Sequence, residues 1–197
     1  MIRSIPLLVL LVCCVAGGEM ARAAPAADFT LIDSYGEEHR LGDYRGRYVV
    51  LEWLNHDCPF VRKHYDSGNM QALQKRFTAD GVIWLSVVSS APGKQGNFPP
   101  QEMNHRTSAK GAAPTAVLRD ESGAVGRAYG ARTTPQMYLI DPAGELIYQG
   151  AIDDAPTTLQ EDVPGATNYV VAALEASVAG NPVDPARTQP YGCSVKY

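Results

Sequence analysis

Two short runs govern what this chain can fold into. Tyr48-Val-Val-Leu-Glu-Trp53 and Val82 to Val88 are dense in β-branched and aromatic residues and nearly free of polar ones, the pattern of strands buried on both faces. Between them, Pro59 suits the first turn of a helix, Met70, Leu73 and Phe77 recur at helical spacing, and Ala79-Asp-Gly81 ends the run. A buried strand, a helix and a second buried strand make the unit from which parallel sheets are built. The flanks extend it. Phe29 to Ile32 alternates and ends in the turn Asp33-Ser-Tyr-Gly36; Pro99 to Lys110 reads as helix, Ala116 to Leu118 as strand, and Gly123 to Tyr129 as a small helix. Met137 to Ile140, the Asp141-Pro-Ala-Gly144 turn and Leu146 to Tyr148 form a β-hairpin, and Tyr169 to Val178 a closing helix. The expected architecture is α/β, a central mixed β-sheet with helices on both faces.

Composition removes other classes. With 45% hydrophobic and 19% charged residues the chain is too apolar to be disordered. Its net charge of -4, with basic residues scattered, argues against a nucleic-acid partner. Glycine and proline show no period, which excludes collagen-like and solenoid folds. No phosphate-cradling glycine loop or dinucleotide fingerprint is present, so no cofactor is expected.

The first residues read as an address. Met1-Ile-Arg3 is a cationic start, Ile5 to Val15 is almost wholly apolar, and Ala21-Arg22-Ala23 has the small-x-small form a signal peptidase reads. The apolar run is too short for a bilayer core of about 30 Å, so no stable membrane insertion is expected after cleavage. The chain therefore divides into a signal peptide over 1–23, a domain over 24–179 and a Pro-rich tail over 180–197. Removing 1–23, which holds Arg3, Glu19 and Arg22, takes the net charge from -4 to -5 and removes Cys13 and Cys14. Cys58 and Cys193 remain, and the expected setting is exported and periplasmic, one that permits disulfides.

Cys58 stands where a central strand hands over to the helix that Pro59 opens. A thiolate there faces unpaired backbone N–H groups and the positive end of the helix dipole, with Arg62 nearby, the environment of nucleophilic cysteines. The simpler alternative is a buried, inert cysteine. Downstream, Thr133-Thr134-Pro135-Gln136 leads directly into the strand Met137–Ile140, which places a constrained bend at that strand's start.

In order and spacing, these pieces resemble the thioredoxin fold. Cys58-Pro59 follows an apolar strand, Thr134-Pro135 precedes Met137-Tyr-Leu-Ile-Asp141, and Gly144-Glu-Leu-Ile-Tyr-Gln-Gly150 follows. Asp28-Phe-Thr-Leu-Ile-Asp33-Ser-Tyr-Gly36 with Tyr44-Arg-Gly46 is similar to the redoxin branch, the AhpC/TSA (alkyl hydroperoxide reductase/thiol-specific antioxidant) group. Trp53, Asn55, Cys58-Pro59, Tyr65, Gly150-Ala-Ile-Asp153-Asp154 and Gly192-Cys193-Ser are similar to its peroxiredoxin-like members. The resemblance covers roughly 26–179 and implies a cis bond at Pro135, packed against Cys58. The chain also departs from these families. Val61 stands where a Cys-x-x-Cys motif has its second cysteine. Leu51 and Asn55 stand where peroxiredoxins carry a Pro and a Thr or Ser, and Arg132 is only near the place of their Arg. Without those donors to polarise a peroxide, fast peroxidase chemistry is not expected.

The reading is an exported thiol oxidoreductase with Cys58 as nucleophile and Cys193 as resolving cysteine. Thr134 and Pro135 shape the site, with Asn55, Pro59 and Arg62 in support. Its partners are a thiol reductant or a disulfide-bearing protein, with small peroxides a second, weaker substrate class. The rival reading is a non-catalytic binding module in which Cys58–Cys193 is a static staple; closing so long a loop contributes about 4–5 kcal/mol in the chain-entropy model. His56, Cys58 and His64 can be drawn as a soft-metal set, against the simpler expectation that both histidines face solvent and that no metal is held. Asp153 and Asp154 read as turn acids. If the export reading holds, protein recovered from the exported fraction has Ala24 at its N-terminus by mass spectrometry; an intact Met1 terminus would refute it.

Overall fold

The computed structural model describes residues 23–197. Apart from Ala23, the expected signal peptide lies outside the described residues. In chain order the elements are β1 (Ala24–Pro25), β2 (Thr30–Asp33), β3 (Glu38–Arg40), β4 (Val49–Trp53), α1 (Pro59–Asp66), α2 (Asn69–Ala79), β5 (Ile83–Val88), α3 (Pro100–Ala109), β6 (Ala116–Arg119), α4 (Ala124–Tyr129), β7 (Thr133–Thr134), β8 (Gln136–Ile140), β9 (Glu145–Gly150), α5 (Tyr169–Val178) and β10 (Cys193–Ser194). Eight strands form one mixed sheet in the order β1-β9-β8-β4-β5-β6-β2-β3, and β10 pairs with β7 in a second, two-stranded sheet.

The two apolar runs become the centre of this sheet. β4 and β5 are parallel, with Leu51 opposite Leu85, and β4 is antiparallel to β8, with Leu51 opposite Tyr138. The parallel pairs β4–β5 and β5–β6 need crossovers, which α1–α2 and α3 supply. Alternate side chains of β4 enter opposite cores. Val50 packs with Val61, Met70, Phe77 and Leu174 on the face covered by α1, α2 and α5, and Val49, Leu51 and Trp53 pack with Phe29, Val125 and Tyr129 on the face of α4. The helical run after Pro59 is two helices. It breaks at Gly68, whose φ of 77° is a left-handed conformation that side-chain-bearing residues rarely adopt.

The tail is more ordered than its prolines imply. It leaves α5, runs beside β9 through Gln149 N–H to Ala186 O (3.0 Å) and Thr188 N–H to Gln149 O (3.1 Å), and then crosses to β7. It ends near Ala91, whose N–H donates to Lys196 O at 2.8 Å. It thus crosses the end of the sheet where β4 and β5 finish, the edge at which α/β proteins place their sites.

Candidate functional site

The loop after β4 fixes where α1 begins. Asn55 is buried, its Oδ1 accepts the Asp57 N–H at 3.0 Å, and its backbone carbonyl accepts the Cys58 N–H at 3.0 Å. Cys58 therefore becomes the residue before the helix, with extended backbone angles, and Pro59 takes the first helical position, where a missing N–H costs nothing. The Cys58 side chain does not cap the helix. Its S–H reaches the Thr134 carbonyl at 3.0 Å, and its Sγ lies 2.6 Å from Cys193 Sγ. Both cysteines are free thiols. The helix N–H expected to face Cys58 serves the other sulfur, since the backbone N–H of Phe60 bonds to Cys193.

Thr134 and Pro135 are brought into this contact. The Thr134–Pro135 peptide bond is cis. Gln136 folds back over the turn, its Oε1 accepting the Arg132 N–H at 2.9 Å, and its Nε2 donates to Tyr138 Oη at 2.7 Å. Cys193 stands opposite Thr134 and Ser194 opposite Thr133 in the antiparallel β10–β7 ladder. Gly192 permits the approach: its φ is +134°, and a Cβ there would lie 2.1 Å from the Thr134 carbonyl oxygen. Arg62 is exposed on α1, and Arg132 is exposed with its carbonyl accepting the Val195 N–H.

In this closed arrangement Cys58 has 0% exposure, so the accessible face that disulfide exchange requires is covered by Cys193 and the tail around it. Burial pushes the Cys193 thiol up to about 12, and its contact with Cys58 adds to the rise. At neutral pH Cys193 is a thiol.

Several readings of single residues are corrected. His64 does not face solvent, and His56 is only partly exposed. His64 is fully buried, and His56 Nε2 is buried without a hydrogen-bond partner among the described residues. No group of three or more His, Cys, Asp or Glu side chains among the described residues is placed to hold a metal ion. Asp153 is a buried acid, 3.7 Å from Lys63 Nζ, and its Oδ1 accepts from Tyr191 Oη. Asp154 accepts the N–H of Thr167, thirteen positions along the chain, at 2.8 Å. Tyr65 donates to Glu52 at 2.8 Å.

Glu52 was not singled out by the sequence reading. It is wholly buried on β4 and also accepts from Trp84 Nε1 and Ser86 Oγ at 2.9 Å and from Gln74 Nε2 at 3.2 Å. Burial raises its pKa. An acid in the middle of an apolar strand is the signal that marks it, because such a group must be met by donors. Lys63 and Tyr191 gave no comparable signal.

Comparison with known proteins adds independent findings. Residues 22–149 match the model of the AhpC/TSA family. Thiol-disulfide oxidoreductase ResA of Geobacillus thermodenitrificans is 30% identical over 128 residues, covering 64% of this chain and 67% of the relative. The crystal structure of an uncharacterized conserved protein from Geobacillus kaustophilus superposes with a TM-score of 0.74 at 26% identity, covering 89% of this chain and 92% of that one. The thioredoxin domain of a thiol-disulfide oxidoreductase from Bacteroides vulgatus gives a TM-score of 0.53 at 18% identity, over 74% of this chain and 97% of that one. The sheet and helices described above are therefore a thioredoxin-like fold.

The buried His64 and the half-buried His56 give the site a pH signature. Burial lowers the pKa of each from 6.5 to about 4, helped at His56 by the nearby Arg106 charge and partly opposed at His64 by Asp153. Between those values the unfolded chain binds protons that the folded chain refuses, so their contribution to stability is lost as pH falls from about 6.5 to 4. Each contributes a slope of at most ~1.4 kcal/mol per pH unit. The expected result is a falling denaturation midpoint across that window, with the His56 and His64 ring-proton resonances holding neutral positions down to about pH 5. Ring titrations near 6.5 would refute the assignment.

Proposed function

The chain belongs to the AhpC/TSA family, and we propose that within it this protein is an exported thiol–disulfide oxidoreductase whose redox couple is Cys58 and Cys193. The observation that carries the reading is the 2.6 Å approach of the two sulfurs beside the cis Thr134–Pro135 turn at the start of α1. The name of the ResA relatives supports the reaction class. The cationic and apolar start of the chain supports export, and among the described residues no helix is long and apolar enough to cross a membrane.

The cycle conserves two electrons. With the tail lifted, the Cys58 thiolate attacks one sulfur of a partner disulfide, forming a mixed disulfide and releasing the partner's other sulfur as a thiolate. Cys193, after losing its proton, attacks Cys58 Sγ, forms the Cys58–Cys193 bond and expels the second partner thiolate. The protein dithiol is oxidised and the partner disulfide reduced. An external dithiol of the same compartment restores the couple by the reverse exchange. Thr134 holds Cys58 through its carbonyl, and Asn55 and Pro59 set the position of the helix start. Peroxides are poorer substrates on this reading, because Leu51 and Asn55 stand where peroxiredoxins place peroxide-orienting residues.

Glutathione disulfide is the probe. The reduced protein is expected to convert it to glutathione while forming one Cys58–Cys193 bridge, seen by peptide mapping. Cys58→Ser abolishes the reaction, and Cys193→Ser stops at a Cys58–glutathione adduct. Stopped-flow oxidation by hydrogen peroxide is expected at a rate near that of a free thiol. Two thiols that stay free under oxidising conditions would overturn the reading, and a bridge that resists dithiothreitol in the native state would establish a staple in a binding module instead.

A further inference from the structure

The thiol chemistry leaves unused a buried polar cluster that joins the tail to α1. Lys63 and His64 of α1 and Asp153 after β9 are 1%, 0% and 2% exposed. Charge at that depth is costly unless every group is met. Lys63 Nζ donates to the Ala155 carbonyl at 2.6 Å and lies 3.7 Å from Asp153 Oδ2. Asn69 Nδ2 donates to His64 Nδ1 at 3.0 Å, so His64 carries its hydrogen on Nε2, which donates to Tyr191 Oη at 3.1 Å. Tyr191 passes its own hydrogen to Asp153 Oδ1. Its ring packs on Phe60, with centroids 5.8 Å apart, and under Lys63 Nζ at 5.5 Å. One hydroxyl thus both accepts from the helix and donates to the acid. Without it His64 Nε2–H loses this partner, and Asp153 Oδ1 keeps the Ala155 N–H at 3.1 Å.

Both ends of this chain of contacts lie a short covalent distance from a sulfur. Lys63 and His64 ride on the helix that starts after Cys58, and Tyr191 precedes Cys193 by a single intervening glycine. Cys58 itself is sealed by the docked tail. We propose that Tyr191 is the latch of this tail, a positioning residue whose hydroxyl, held between His64 and Asp153, sets both how often Cys193 meets Cys58 and how often Cys58 opens to a partner. The first half of that statement rests on the Cys58–Cys193 couple proposed above; the second needs only the tail to cover Cys58. Opening breaks hydrogen bonds and the packing of Tyr191 on Phe60 but no covalent bond.

The test pairs two readings that a latch moves in opposite directions. In a Cys193→Ser chain, adding Tyr191→Phe is expected to raise the rate at which iodoacetamide alkylates Cys58 by about tenfold, the size of one hydrogen bond to a charged acceptor. In the chain with both cysteines, Tyr191→Phe is expected to lower the ratio of Cys58–Cys193 bridge to glutathione adduct, at equilibrium with glutathione, by a similar factor. His64→Gln is the second variant and is expected to shift both readings the same way by a smaller factor. Leu41→Ala, in the core on the other face of the sheet, lowers stability and is expected to move neither. If the unsubstituted chain forms no bridge the couple fails, while alkylation in the Cys193→Ser chain still judges the latch. Changes under twofold in both readings for Tyr191→Phe and His64→Gln, or shifts matched by Leu41→Ala, would overturn it.

Discussion

The pairing of β10 with β7 is the interaction on which the site depends, because it lays Cys193 against Thr134 and so over Cys58. A ladder of two residues is weak on its own. Each backbone hydrogen bond contributes about 0.5–1.5 kcal/mol net, whereas ordering each residue costs about 1–2 kcal/mol. Further contacts on either side of the ladder add to it. Before it stands Tyr191 in its buried cluster. After it, Val195 N–H donates to Arg132 O at 3.0 Å, and Tyr197 donates to the Ala131 carbonyl at 2.8 Å with its ring under Arg127. The closed tail is a sum of small terms, which on the proposed cycle suits a segment that lifts to admit a partner to Cys58.

Beneath the tail the floor is of another kind. β4 is held between β5 and β8, all five of its residues are buried, and Glu52 gathers donors from α1, α2 and β5. Moving α1 would leave that carboxylate without Tyr65, and buried carboxylates tolerate such losses poorly. Cys58 is therefore presented from a fixed helix start, while the sulfur opposite arrives on a separable strap. Rigid presentation of one reacting atom is what makes a contact with the second productive.

The sheet was legible because its signal is local. The β-branched runs at 48–53 and 82–88 and the hairpin at 137–148 announce themselves in windows of a few residues, and the closing helix over 169–178 was read with the boundaries of α5. Cys58, Thr134 and Pro135 could be nominated because a helix start and a strand start leave local marks. The burial of His64 and Asp153 could not be read in this way. Each looks like a surface residue beside its neighbours, and each is buried by a tail that folds back from more than thirty-five positions away. Gly192 is the clearest case: its need for a bare Cα comes from the Thr134 carbonyl, a contact across distant sequence.

Placing the second thiol on a tail changes the chemistry available to the first. In a Cys-x-x-Cys motif the resolving cysteine sits one helical turn away; here that position is Val61, buried in the core. Cys193 reaches the same sulfur from outside, and the Phe60 N–H at the helix start is spent on it. Burial is the first reason the Cys193 thiol is pushed up to about 12, and proximity to Cys58 is the next. On the proposed cycle Cys193 must therefore shed its proton before it attacks the mixed disulfide, and once the tail is docked the Lys196 charge and the Phe60 N–H, which both lower its pKa, favour that loss.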